Sequence, residues 1–283
     1  MIAAEFDYVA PESLDEVMTA LRDGGEDAKL LAGGHSLIPL MKLRLAAPSL
    51  LVDLRKVPGL TGIQRENGTW RIGAMTTHTA MSDGGLGLMS AVAETIADPQ
   101  VRNRGTLGGS LAHGDPASDQ LAIMLITEAT MTVRGADGQR EVPAAEFFHD
   151  YLTTAVGEGE VLTEIHVPAL EGYAYGYRKF NRRQEDWAMV AASALVKRAG
   201  DGTCEDVRVG LTHMASTPLR ATAVEEALRG KPLDANSIAA AAEQAAEGTD
   251  PPADLNASED YKRHLARVLT RRALEDAAGG ASS

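Results

Sequence analysis

Two short glycine-rich segments have the residue types expected of a loop that binds phosphate. The first runs from Ala32 to Ser36, with Gly33 and Gly34 adjacent, and follows a short apolar stretch. Adjacent glycines let backbone N–H groups turn toward one point and let a ligand approach closely, which suits a diphosphate; the hydroxyl of Ser36 adds a donor. A tight turn between a strand and a helix explains the same pattern equally well.

The second segment is Thr106-Leu107-Gly108-Gly109-Ser110, in which two hydroxyl residues flank the glycine pair. Asp119 follows this segment, and its carboxylate accepts hydrogen bonds without donating them, which suits a ribose or ribityl hydroxyl. The alternative is a helix cap, in which Ser118 or Asp119 begins a helix predicted to run through Ile126. Both interpretations stay open at the level of the residues.

The sequence lacks the motifs of several other classes of enzyme and metal site. Neither segment has the third glycine of a Rossmann fingerprint or the Gly-Lys-Ser/Thr of a P-loop, which argues against a nicotinamide dehydrogenase or an ATPase. The 7 histidines show no ligand spacing for a metal, and no Gly-x-Ser-x-Gly elbow indicates a serine hydrolase. Cys204 is the single cysteine, so the chain forms no disulfide and holds no iron–sulfur cluster. We therefore expect redox chemistry here to depend on an organic cofactor.

The composition is that of an acidic globular protein. A chain of 283 residues is long enough for two domains, and its formal net charge of −13 disfavours a nucleic-acid partner. Basic residues such as Arg102 and Arg104 are predicted mostly to face solvent. The first residues show neither the basic nor the apolar region of a signal peptide, and no apolar stretch is long enough to cross a bilayer. We predict a cytoplasmic protein that is not transmembrane.

The elements before residue 170 place each glycine-rich segment next to regular structure. Ser13 and Glu16 form a capping box that begins a helix, and Gly24 follows its last turn. Strands are predicted over 29–32 and 49–54, so the first glycine-rich segment directly follows a strand. The pair Asn67-Gly68 suits a type I′ turn between strands 61–64 and 69–74. Further elements are predicted as a helix over 86–96, a hairpin at Asp137-Gly138 and a strand over 161–167.

Beyond Leu170 the pattern changes from mixed elements to strands followed by helices. Three strands are predicted over 173–180, 188–197 and 207–214. Three helices follow, over 220–229, 236–247 and 258–277. This order predicts an α+β C-terminal domain, with domain bounds of 1–170 and 171–283.

Two of these segments, with a third, resemble the flavin motifs of a known family. Residues 29–39 and 104–113 are similar to the first and second motifs of the FAD-binding medium subunits of molybdenum hydroxylases, a family that includes xanthine dehydrogenase and aerobic carbon monoxide dehydrogenase. Residues 177–188 are similar to the third. The resemblance implies an α+β fold: a PCMH-type FAD-binding domain of two α+β subdomains, then a C-terminal flavoprotein domain with a three-stranded antiparallel sheet and a helical bundle.

The resemblance also implies where FAD binds, between the two N-terminal subdomains. Asp119 lies where the family has a flavin-contacting acid, and Lys179 matches a polar contact. Trp187 stands where relatives have a tyrosine or an aliphatic residue over the flavin ring. No catalytic residue or metal ligand is predicted. The implied cofactor-binding residues are Leu30, Leu31, Ala32, Gly33, Gly34, His35, Ser36, Ile38, Ile96, Ala97, Thr106, Gly108, Gly109, Ser110, Asp119, Leu162, Lys179 and Trp187.

The role implied by the resemblance is electron transfer within a complex. A large subunit would carry the molybdenum cofactor and oxidise substrate, a small subunit would carry [2Fe-2S] clusters, and FAD here would pass electrons to an external acceptor. Such a complex is expected to be a dimer of heterotrimers, either free in the cytoplasm or peripheral at the inner face of the membrane. The first motif is most like the carbon monoxide dehydrogenase type.

Three alternatives remain beside this role. The same subunit type serves dehydrogenases of N-heterocycles, purines and other organic substrates. A scaffold subunit could have kept the fold and lost the flavin, although both glycine pairs and Asp119 are present. A self-sufficient flavin oxidase of the vanillyl-alcohol-oxidase fold would need its own substrate cap with catalytic bases, which the sequence does not indicate.

Overall fold

The computed structural model describes residues 2–280, whose strands form four sheets. The strands are β1 Asp7–Val9, β2 Ala28–Leu31, β3 Leu50–Asp53, β4 Ile63–Glu66, β5 Thr69–Gly73, β6 Thr130–Gly135, β7 Gly138–Pro143, β8 Phe148–Asp150, β9 Thr153–Thr154, β10 Val161–Pro168, β11 Tyr173–Phe180, β12 Val190–Arg198, β13 Cys204–Thr212 and β14 Leu219–Arg220.

The helices are short apart from the last. They are α1 Leu14–Gly24, α2 Leu37–Lys42, α3 His78–Ser82, α4 Leu88–Glu94, α5 Pro99–Arg102, α6 Leu107–His113, α7 Leu121–Ile126, α8 Thr222–Leu228, α9 Ala235–Ala242 and α10 Glu259–Ala278. In the described range, none of them combines the length and the apolar character needed to span a membrane.

The first sheet is parallel, with strand order β1-β3-β2, and α1 connects its two edge strands. The predicted capping residue Ser13 begins α1 by accepting the N–H of Glu16 at 3.2 Å. The reciprocal half of the capping box differs from the prediction, because the Glu16 carboxylate accepts the N–H of Glu12 rather than that of Ser13. The apolar stripe of α1 buries Val17 against this sheet.

The second sheet is antiparallel, with strand order β4-β5-β10-β6-β7. The predicted hairpin at Asn67-Gly68 is present, and both residues have positive φ (50° and 76°), as a type I′ turn requires. Gly138 closes the β6–β7 hairpin with a φ of 123°. The largest apolar core lies on this sheet and includes Leu107 and Leu111 of α6, so the second glycine-rich segment is anchored in the core.

The third sheet is antiparallel, in the order β11-β12-β13-β14, and α10 packs on it. Three of its strands were predicted; the fourth is the two-residue β14, so the sheet has four strands rather than three. The close approach of α10 to β11 depends on Gly176, because a Cβ there would overlap the carbonyl oxygen of Ala273. The α+β fold predicted from the resemblance is confirmed.

Candidate functional site

The first glycine-rich segment, here called loop one (Ala32–Ser36), connects β2 to α2 and lies against the backbone that precedes the second. A Cβ at Gly33 would overlap the carbonyl oxygen of Arg104, so only glycine allows this contact. Gly34 has a φ of 77°, the left-handed region that favours glycine. Glycine is therefore required at the two positions for different reasons: Gly33 permits close packing, and Gly34 permits the turn.

Loop one presents free backbone donors. Within residues 2–280, the N–H groups of residues 33–36 have no hydrogen-bond partner. The carbonyl oxygen of Gly33 accepts a hydrogen bond of 2.9 Å from Nδ1 of His35. Ser36 occupies the position before α2 without capping it through its side chain, so its hydroxyl is also available. Unpaired N–H groups that converge in one turn form an anion-binding concavity.

The second segment, here called loop two (Thr106–Ser110), begins α6 and offers a different set of groups. The N–H groups of residues 107–110 are paired inside the protein: that of Gly108 donates to Ala74 O at 2.8 Å and that of Gly109 to Thr106 Oγ1 at 3.1 Å. A Cβ at Gly108 would lie 2.5 Å from the Cβ of Ala74. Loop two therefore contributes hydroxyl groups to the space between the loops, and its glycines serve packing.

Asp119 and Lys179 form a buried ion pair. Lys179 Nζ lies 2.9 Å from Asp119 Oδ2, the Tyr177 hydroxyl donates to Asp119 Oδ1 at 2.8 Å, and both ionised side chains are less than 10% exposed. Burial raises the pKa of Asp119, and the ammonium of Lys179 opposes this rise. The helix-cap alternative is wrong, because α7 begins at Leu121 after Gln120, with no side-chain cap.

Ile96 and Ala97 form a turn that an arginine holds in place. Arg102 Nη1 donates to the carbonyl oxygens of Ile96 at 2.9 Å and of Ala97 at 3.1 Å. Ala97 has a φ of 42°, an uncommon conformation for a residue with a Cβ. Arg102 was predicted to face solvent mostly, and its bonds to these two carbonyls give it an internal role.

One cleft of about 480 Å³ brings most of the predicted site residues together. This volume lies in the range of small-molecule sites. Trp187 is at its rim, 52% exposed, on the loop between β11 and β12. Leu31 and Ile38 do not line it. Leu31 packs with Met41, and Ile38 is an exposed residue whose side chain lies next to Gly34. The predicted residues that line the cleft are Leu30, Ala32, Gly33, Gly34, His35, Ser36, Ile96, Ala97, Thr106, Gly108, Gly109, Ser110, Asp119, Leu162, Lys179 and Trp187.

Several residues of the cleft were not predicted. Lys29 and His78 line it, and Tyr177 completes the ion pair behind it. Burial lowers the pKa of His78 to about 4, with His35 and Arg102 contributing in the same direction. Lys29 and Tyr177 lie inside the segments that carry the resemblance, whereas the sequence gives no signal for His78, because its partner Ser110 lies far away along the chain.

The free N–H groups and hydroxyls on both sides of the cleft, with an ammonium deeper in, fit a dinucleotide that carries a diphosphate. Residues 4–170 match the family described as "FAD binding domain in molybdopterin dehydrogenase". Residues 175–277 match "CO dehydrogenase flavoprotein C-terminal domain".

Individual relatives match along nearly the whole chain. The carbon monoxide dehydrogenase medium chain of Hydrogenophaga pseudoflava is 41% identical, covering 98% of both chains. The 6-hydroxypseudooxynicotine dehydrogenase complex subunit alpha of Paenarthrobacter nicotinovorans is 37% identical, covering 96% of this chain and 94% of the relative. A solved structure of Hydrogenophaga pseudoflava carbon monoxide dehydrogenase superposes with a TM-score of 0.95 at 42% identity, covering 100% of both chains.

The chain belongs to the FAD-binding medium subunits of the molybdenum hydroxylases, the family that includes carbon monoxide dehydrogenase. It is an FAD-binding subunit of an oxidoreductase, as its relatives are subunits of dehydrogenase complexes. FAD as the cofactor and the family predicted from the motifs are both confirmed.

Proposed function

We propose that the chain binds the FAD diphosphate between loop one and loop two and transfers electrons within a molybdenum hydroxylase complex. The observation that carries this proposal is the set of N–H groups at residues 33–36 without a partner within residues 2–280, in a loop that lines the same cleft as Thr106 and Ser110. FAD, when bound, supplies the capacity to exchange one or two electrons. The chain's own residues bind it, orient it and restrict what reaches it.

The remaining predicted residues have distinct roles in this proposal. Leu30 and Leu162 form an apolar part of the cleft wall. Hydrogen bonds from Arg102 hold the turn at Ile96 and Ala97 in place. The ion pair of Asp119 and Lys179 places paired charges beside the cleft. Trp187, half exposed at the rim, is proposed to cover the flavin ring and to limit access to it.

We propose three subunit types in the complex. A large subunit would hold the molybdenum cofactor, a small one would hold the [2Fe-2S] clusters that deliver electrons, and an external acceptor would remove them. Cys204, the single cysteine of the chain, supports this division. It is buried, and burial raises its pKa to about 11, which disfavours the thiolate that an iron–sulfur cluster needs as a ligand. A dimer of heterotrimers, a cytoplasmic location and attachment at the inner face of the membrane stay predictions.

Carbon monoxide is the substrate we propose for the whole complex, supported by the likeness to two carbon monoxide dehydrogenase medium chains at 41% identity. The second candidate is an organic substrate such as an N-heterocycle or a purine, favoured by the 37% identity to a subunit of 6-hydroxypseudooxynicotine dehydrogenase. A flavin-free scaffold is the third, and the colour of the purified chain separates it from the other two.

The test of FAD binding compares two glycine-to-alanine variants. Gly33→Ala should lose FAD, because the added Cβ would overlap Arg104 O and displace loop one. Gly200→Ala is the matched control: it has no neighbouring atom within 4 Å of the added Cβ and should retain FAD. The flavin content of each purified protein is measured by its absorbance after release. A colourless wild-type chain that cannot be reconstituted would contradict FAD binding, and full retention by Gly33→Ala would contradict the role of loop one.

The test of the division of labour is anaerobic reduction. The isolated chain with FAD is mixed first with carbon monoxide and then with N-heterocyclic substrates while the flavin absorbance is followed. We expect no bleaching without the partner subunits and bleaching in the assembled complex with one substrate class. Bleaching of the isolated chain would contradict the proposal.

A further inference from the structure

Arg102 is bound to backbone carbonyls rather than to a carboxylate. Its Nη1 donates to Ile96 O at 2.9 Å and to Ala97 O at 3.1 Å. Within residues 2–280 its guanidinium forms no ion pair, although the chain has 40 acidic and 27 basic residues. An arginine that binds two consecutive carbonyls in so acidic a chain indicates that the shape of this backbone segment matters.

The short helix α5 places the arginine next to these carbonyls. Asp98 caps the helix by accepting the N–H of Val101 at 2.8 Å, and Pro99 occupies the first turn, where its missing N–H costs nothing. The N–H of Arg102 donates to Asp98 O at 2.9 Å. One helical turn therefore returns the guanidinium to the residues that directly precede the helix.

The turn that Arg102 holds has an unfavourable conformation. Ala97 has a φ of 42°, a left-handed conformation in which its Cβ crowds the following carbonyl oxygen. Hydrogen bonds from a charged donor are stronger than those between neutral groups. The two bonds from Arg102 to Ile96 and Ala97 therefore oppose the return of Ala97 to an ordinary conformation.

The same two bonds orient a backbone donor. The peptide bond between Ile96 and Ala97 is trans, so the carbonyl of Ile96 and the N–H of Ala97 point in opposite directions. That carbonyl faces Arg102, and the N–H therefore points away from the arginine. Ala97 lines the cleft whereas Arg102 does not, and in the described part of the chain the Ala97 N–H has no hydrogen-bond partner.

We propose that Arg102 is a positioning residue of the cofactor site, which holds Ala97 in the left-handed conformation so that its N–H donates to the flavin end of FAD. This rests on the proposed binding of FAD in the cleft. Thr95 O lies 3.5 Å from Nζ of Lys179, on the strand that leads to Trp187. Because Trp187 is proposed to cover the flavin ring, the turn is placed at that end of the cofactor, where carbonyl oxygens and ring nitrogens accept hydrogen bonds.

The experiment is a fluorescence titration of FAD into the full chain after removal of its flavin. Arg102→Met removes both hydrogen bonds to the turn, and we expect its Kd for FAD to be about tenfold higher than that of the wild type. Arg102→Lys keeps a charged donor and should lose less affinity. Unchanged affinity in folded Arg102→Met, as judged by circular dichroism, would overturn the role of Arg102, whereas a wild-type chain that binds no FAD would overturn the proposed function.

Arg198→Met is the matched control. Arg198 also donates to two backbone carbonyls, those of Gly202 at 3.1 Å and Ala278 at 2.8 Å, and it does not line the cleft. We expect this variant to bind FAD like the wild type. A loss equal to that of Arg102→Met would show a general effect of removing such an arginine and would contradict a specific role at the cofactor site.

A second ligand separates the flavin end from the diphosphate. ADP-ribose contains the same diphosphate and adenosine but no flavin. If the N–H of Ala97 binds the flavin end, Arg102→Met should bind ADP-ribose like the wild type while losing affinity for FAD. An equal loss for both ligands would show that the charge of Arg102 acts on the diphosphate and would overturn the proposal.

A second substitution tests whether Arg102 acts through the conformation of Ala97. Glycine adopts positive φ without the penalty of a Cβ, so Ala97→Gly should keep the turn accessible when the arginine is absent. We expect the double variant Arg102→Met with Ala97→Gly to bind FAD more tightly than Arg102→Met alone. A double variant that binds no more tightly would contradict the proposed action on Ala97.

Discussion

The buried ion pair of Asp119 and Lys179 should show strong energetic coupling in the flavin-free chain. The two groups are 2.9 Å apart with side chains 5% and 7% exposed, so removing one leaves the other charge buried without its partner. We expect Asp119→Asn or Lys179→Met alone to lower the free energy of unfolding by about 3–5 kcal/mol. The double variant should cost clearly less than the sum, because neither charge then remains.

Urea denaturation of the wild type, the two single variants and the double variant measures the coupling, provided that the slope of the transition is unchanged. The cost of Lys179→Met should also shrink as the pH is lowered, because Asp119 already has a raised pKa and becomes neutral more readily without the ammonium. The exposed pair of Arg182 and Asp186, 3.9 Å apart, is the control and should couple by under about 1 kcal/mol. Single costs that add independently for the buried pair would refute this reasoning.

Three further predictions concern single residues. In the flavin-free chain, His78 alone should lower the free energy of unfolding by up to about 3 kcal/mol as the pH falls from 6.5 to about 4. The reason is that the unfolded chain takes up the proton at a higher pH than the folded chain does. His78→Gln should flatten this part of a series of urea melts at different pH. Trp187→Ala should retain FAD but change the rate at which the reduced flavin reacts with dyes or oxygen, and identical stopped-flow traces would remove Trp187 from the site. Gly109→Val should lose FAD, because its Cβ would lie 2.7 Å from Thr106 Oγ1 and disturb the cap of α6; a variant with stoichiometric flavin would contradict this.

Local chemistry explains the elements that the sequence predicted well. Ser13 caps a helix with its own neighbours, and Asn67-Gly68 forms a turn within two residues, so both signals are complete in a short window. The third sheet was predicted as three strands because β14, with two residues, is too short to show an alternating pattern. Fold class was therefore accessible from local patterns and the resemblance.

The site was predicted as a set of positions but not as an arrangement. The glycine pairs looked alike in sequence, yet the N–H groups of residues 33–36 have no partner within residues 2–280 whereas those of residues 107–110 are paired. Asp119 and Lys179 were each assigned to FAD, and the structure pairs them with each other. Contacts between residues this far apart depend on the packing of whole sheets, and one sequence contains no record of them.

The pair of Asp119 and Lys179 also has a consequence for the order of events during biosynthesis. Asp119 precedes the predicted domain boundary near Leu170, and Lys179 lies on β11, a strand that pairs with β12 further along the chain. As a ribosome releases the chain from its N-terminus, both glycine-rich loops emerge long before the partner of Asp119 is held in place. The wall of the cleft that contains Lys179 is therefore completed only after the strands of the third sheet have been made, so we expect tight FAD binding to require the C-terminal strands as well as the two loops.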